Sequence, residues 1–164
     1  MRDTINTQLF SNESDLRQFE KRSVIRASVS DVYAVWTNGE IFCRIFNPSN
    51  TSLTANIELE IGGKYEWLWD GETGSNDCQV LGFIPDRMVS FSWNAPPDQP
   101  LSRELRTWVV VEFSPIDNAN TEVTLTHLGF GSAPHWEETR SYFAAAWDTV
   151  LSRFQDNLSQ PNRG

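Results

Sequence analysis

Cysteine, histidine and cationic side chains are all scarce in this chain, and each scarcity removes a class of function. Two cysteines, Cys43 and Cys78, among 164 residues cannot build a disulfide framework or a zinc site. The two histidines, His127 and His135, lie eight positions apart, which is not a helical ligand spacing, so no metal or cofactor is expected. Lys and Arg number 13 against 22 Asp and Glu, a formal net charge of −9. A chain with a pI near 4.6 lacks the cationic surplus that binds a phosphate backbone by counterion release, and nucleic acid is not an expected partner. No apolar run approaches the ~18 residues of a membrane span. The opening Met1-Arg2-Asp3-Thr4-Ile5-Asn6 has no apolar stretch that would read as a signal peptide, so a cytoplasmic protein with reduced thiols is expected. Gly-rich phosphate loops and a serine nucleophile elbow are missing as well.

What is abundant is aromatic. Seven Trp, ten Phe and three Tyr make up 12% of the residues, within an otherwise ordinary globular composition of 39% hydrophobic and 21% charged side chains. The length suits one domain. Residues 1–20 are polar with few apolar anchors and read as an N-terminal extension, with a frayed arm or a short helix over Asp15 to Lys21; residues 21–160 form the domain.

Within it, Arg22 to Ala27 reads as a strand. Ser28-Val29-Ser30-Asp31 has the form of a capping box, opening a short helix that Thr37-Asn38-Gly39 stops. A second helical turn over Ile41 to Phe46 ends at Asn47-Pro48. From Asn56 the apolar period becomes two: Ile57, Leu59 and Ile61, then a Gly62-Gly63 turn, then Tyr65, Trp67 and Trp69. Strands follow over Cys78 to Ile84, Met88 to Trp93, Arg106 to Phe113 and Thr121 to Leu128. The tail changes period again. Phe143, Trp147, Val150, Phe154 and Leu158 form one stripe of a helix beginning near Pro134 and ended by Pro161. The order predicts an α+β domain: a curved antiparallel sheet of about six to seven strands wrapped around a long C-terminal helix, because neither can bury its apolar face alone.

Several segments in this order resemble the START-like (SRPBCC) helix-grip superfamily, in its branch similar to the C-terminal domain of the activator of heat-shock protein 90 ATPase. They are Ala27 to Tyr33, Ile61-Gly62-Gly63-Lys64-Tyr65, Val80 to Trp93, Thr121 to Phe130 and Ala146-Trp147-Asp148, spanning nearly the whole domain. The chain departs where many such proteins carry a Trp-Trp pair after the second short helix. It has Arg44-Ile45-Phe46-Asn47-Pro48 instead, which places a cation near the expected cavity mouth.

If the rings of Tyr65, Trp67, Trp69, Phe91, Trp93, Phe143 and Trp147 face one another, the interior is either a solid aromatic core or a pocket of about 300–1,000 Å³. Together with Arg44 and His127 they form the candidate ligand-binding set. His127 follows Val123 and Leu125 at spacing two and shares their face, either as a hydrogen-bonded strand-end residue or as a polar group in the cavity. Three functions fit. The first is binding of a hydrophobic small molecule under the long helix, without chemistry. The second, implied by the resemblance, is a protein-contact module with a chaperone partner, although one domain leaves no room for the second domain such activators carry. The third is a cyclase, dehydratase or hydrolase, for which only His127, Arg44 and Tyr65 offer acid-base groups. Binding is the favoured reading, in a monomer or a homodimer.

Overall fold

The computed structural model describes residues 17–47, 49 and 52–158. Strand β1 (Gln18–Ile25) leads into helices α1 (Val29–Thr37) and α2 (Gly39–Phe46). Strands β2 (Thr54–Ile57), β3 (Tyr65–Leu68), β4 (Val80–Ile84) and β5 (Met88–Trp93) follow. After a one-turn helix α3 (Pro100–Arg103) come β6 (Thr107–Asp117), β7 (Asn120–Leu128) and the long α4 (His135–Leu158). The strands form a five-stranded antiparallel sheet in the order β1-β7-β6-β5-β4 and a two-stranded ribbon of β2 and β3. The ribbon continues the curve of the larger sheet: Tyr65 N–H donates to Cys78 O and Val80 N–H to Gly63 O.

Local chemistry explains the helices. The Ser28 hydroxyl accepts from Asp31 N–H to cap α1, and the Asn38 side chain accepts from Ile41 N–H to cap α2. Asn38 therefore ends one helix and opens the next, which turns the chain sharply. Glu137 and Glu138 stand at the positive end of the α4 dipole. At 1.5 Å per residue this helix is about 36 Å long, enough to cross the sheet. It is tied down on both sides, by Lys21–Asp148 and Gln155 Nε2 to Val24 O at β1, and by Asn157 Nδ2 to Ile45 O at α2.

The structure corrects several sequence expectations. Strand β1 starts at Gln18, so the stretch up to Lys21, expected as a frayed arm or a short helix, is strand from there on, with Phe19 packed against the core. Asp15 and Leu16 lie outside the described residues, as do Pro48 and Pro161. Strand β2 stops at Ile57, so Leu59 and Ile61 lie in the turn and are exposed rather than inward. The connection is a seven-residue loop over 58–64 in place of a two-residue turn, with Gly62 alone at positive φ (+81°). Helix α3 had no counterpart in the sequence reading, although Pro100 at its first turn is a start signal.

Candidate functional site

Strands β3 and β5 face α4 through aromatic side chains, and their rings sort into two environments. Tyr65 and Phe91 stack face to face at 3.8 Å, and Phe42 lies flat on Trp67 at 4.1 Å. Trp36 and Phe154 close this side, and all six rings are almost wholly buried. The Tyr65 hydroxyl donates to Trp36 O at 2.6 Å, pinning α1 to the ribbon. Burial holds the Tyr65 phenol well above its ordinary pKa, with the Trp67 indole opposing. No acid-base role follows for it at neutral pH.

The other side is open. Trp67, Trp93 and Trp147 meet mostly edge to face, at 5.1, 5.5 and 5.8 Å between centroids. Rings set at an angle cannot collapse onto one another. A cleft of about 250 Å³ remains between α4 and the ends of β3 and β5, slightly smaller than expected. Phe143, Ala146, Trp147 and Val150 form the helical wall; Trp67, Trp93 and the loops after β3 and β5 form the other. Trp69 and Tyr142, each nearly half exposed, stand at the rim. The loop wall lies close because residue 74 is glycine: a Cβ there would run into Trp67 O.

Of the nine candidate side chains, five line the cleft: Trp67, Trp69, Trp93, Phe143 and Trp147. Tyr65 and Phe91 stand behind them in the filled core. Arg44 lies elsewhere. Helix α2 turns Phe42, Ile45 and Phe46 inward, and a residue about 200° around the helix from Phe42 points to solvent. The cleft also opens past Trp69 and Tyr142 rather than past the short helices.

His127 is fully buried and adjoins the cleft only through Trp147 and Phe143. The Trp147 indole Nε1 donates to His127 Nδ1 at 2.9 Å. This assigns the proton to Nε2, which donates to Thr107 Oγ1 at 2.7 Å. Thr107 in turn reaches Trp93 O at 3.4 Å. Both ring nitrogens are thus used internally, and burial pushes the imidazole pKa down to about 3. The ring is neutral across the physiological range. It anchors Trp147, one wall of the cleft, to β7, and Thr107 on β6 carries the chain of hydrogen bonds on to Trp93 O.

Two cleft residues escaped the sequence reading. Arg103 reaches from α3 to the loop wall, its guanidinium donating to the carbonyls of Ala95 and Gly74 and to Asn76 Oδ1. Asn94, at the end of β5, donates through Nδ2 to Asn76 O, while its buried Oδ1 has no partner among the described residues. The signal for Arg103 was Pro100, three residues earlier. Nothing in the sequence marked Asn94. A third unforeseen group, Ser102 Oγ at 2.7 Å from His135 Nδ1 with Thr139 Oγ1 at 2.6 Å from Ser102, joins α3 to the start of α4. It has the spacing of a nucleophile and base, but Ser102 is buried and lines neither the cleft nor the neighbouring depression. It works as a latch. Among the described residues no group of His, Cys, Asp and Glu is arranged to hold a metal.

A long helix gripped by a curved antiparallel sheet, with two short helices after the first strand and a cleft under the grip, defines the START-like helix-grip class. The chain belongs to the family of Activator of Hsp90 ATPase homolog 1-like proteins, whose sequence profile matches residues 26–159. No curated protein matches it. Among solved structures it resembles protein MLL2253 from Mesorhizobium loti, with 17% identity and a TM-score of 0.72 over 89% of this chain and 99% of that one. Protein Ms6760 from Mycobacterium smegmatis is similar at 14% identity and TM-score 0.69, covering 92% and 94%. PFC0360w, described as an HSP90 activator from Plasmodium falciparum, is similar at 16% identity and TM-score 0.62, covering 83% and 91%. At such identities the likeness concerns the fold.

Proposed function

We propose that this protein binds a compact, largely apolar small molecule in the cleft between α4 and the ends of β3 and β5, without transforming it. The observation that carries this reading is the cleft itself, walled by three tryptophans that pack fully on their other sides. Close-packed interiors leave few voids larger than a water. A space of about 250 Å³ held open by rings is a site for something. It suits a molecule of one or two fused rings. The free thiols of Cys43 and Cys78 support a reducing, cytoplasmic setting. Naphthalene added to isotope-labelled protein should shift the indole N–H resonances of Trp67, Trp93 and Trp147 in a saturable way. Shifts absent from these three, or spread evenly over the surface, would refute the reading.

A chaperone-contact module is the second reading. Family membership and the likeness to a structure described as an HSP90 activator support it. It becomes the better one if the cleft stays empty while the protein co-migrates with a chaperone.

A further inference from the structure

Among the described residues, Arg103 is the only charged one lining the cleft. It is half-buried, and among the described residues no carboxylate lies within ion-pair distance of it. Its three contacts are neutral acceptors, two carbonyls and one side-chain amide, and they engage Nη1 once and Nη2 twice. Five N–H donors belong to a guanidinium, so Nε–H and one Nη1–H remain for another partner. The protein as a whole carries a charge of −9, yet it fixes a cation without a contact ion pair among the described residues at the wall of its aromatic cleft. Arg103 also lines an open depression on its other side, together with Asp77, Glu104 and Arg106, so charges of both signs stand there. Among the described residues no acid lines the cleft itself.

We infer that the ligand is a compact aromatic acid, its ring system between Trp67, Trp93 and Trp147 and its carboxylate against Arg103. This rests on the cleft being a ligand site and adds the chemical class of the ligand. Both Nη2 hydrogens are spent, so a carboxylate would meet a single N–H of the guanidinium rather than a forked edge, while the neutral contacts hold the group rigidly without spending its charge. Arg103 is half-buried, so an ion pair there is screened less than one at the surface.

The test compares two ligands of nearly equal shape, the β isomers of naphthoate and acetylnaphthalene, by calorimetric titration of the full chain. Naphthoate should bind about tenfold or more tighter, the step expected from one charge-assisted contact. Raising salt from about 0.05 M to about 0.5 M should weaken naphthoate severalfold and leave acetylnaphthalene unchanged. In Arg103→Met the preference should vanish while acetylnaphthalene still binds, and Arg103→Lys should keep part of it. The salt comparison on the unaltered protein stands even if Arg103→Met fails to fold. Equal binding of both ligands would overturn the aromatic-acid inference and leave the cleft reading intact. Binding of neither would overturn both. A preference that survives in Arg103→Met, or is insensitive to salt, would overturn the role given to Arg103.

Discussion

The two faces of Trp67 make the most instructive comparison in the molecule. On one, Phe42 stacks flat at 4.1 Å, and Tyr65, Phe91, Trp36 and Phe154 complete a core with no exposed ring. On the other, Trp93 and Trp147 stand at steep angles and a cleft remains. Both sides are built on aromatic rings. What differs is ring orientation and what lies behind the rings: on the filled side apolar side chains of α1 and α2 reach in, while on the open side α4 offers the smaller Ala146 and Val150 beside Phe143 and Trp147. An aromatic surplus therefore fills space or props it open according to how its rings are held. His127 is part of that holding, since it fixes the Trp147 indole by a hydrogen bond from the strand side.

The largest effect should come from removing the shared wall. Trp147→Ala takes away a nearly fully buried ring that touches Trp36, Trp67 and Trp93, and leaves His127 Nδ1 buried without a donor. A loss of about 3–5 kcal/mol is expected in urea unfolding. A loss under about 1 kcal/mol would mean that the helix is not gripped through this residue.

Next comes the pH dependence of the His127 anchor. Its folded pKa, about 3, lies below the ordinary 6.5. The unfolded chain therefore binds the proton more readily, and this stabilisation is complete above the unfolded pKa and lost as pH falls toward the folded one. Between about pH 7.5 and about pH 4.5 the group should cost about 2.7 kcal/mol of stability. The carboxylates held low by hydrogen bonds, Asp70 and Asp117, add their own losses only below about their ordinary 3.8. His127→Gln keeps one donor and one acceptor, and its unfolding free energy should be flatter over this range. Parallel pH curves for the two proteins would show that His127 is not held neutral by the fold.

Much of this was legible beforehand, and the reason is periodicity. The α4 stripe of Phe143, Trp147, Val150, Phe154 and Leu158 is buried at every position, because a helix crossing a sheet has one contact face and the spacing states it. Strand β5 was equally clear, with Val89, Phe91 and Trp93 on one face. Alternation failed where a turn intervened: Trp69 continues the spacing of Tyr65 and Trp67, but β3 ends at Leu68 and Trp69 N–H closes a turn onto Thr73 O, leaving the ring at the rim. Arg44 was misplaced because a helix of eight residues shows its inward face only through packing. Arg103 and Asn94 carry no periodic signal at all. They are brought to the cleft by one short helix and one strand end, and only the three-dimensional path of the chain shows it.

The smallest change in stability should accompany the sharpest functional test. Ala146 lines the cleft and is partly buried, so Ala146→Trp can place a ring in the open space without displacing the filled core. The direct measurement is a fluorescence titration of both proteins with the neutral apolar probe N-phenyl-naphthylamine, read by probe enhancement and quenching of tryptophan emission. The unaltered protein should saturate at one probe per chain, and Ala146→Trp should lose that signal while unfolding within about 1 kcal/mol of the parent. Saturable binding that persists unchanged in Ala146→Trp would contradict the claim that the space beside Trp67 is where this protein holds its ligand.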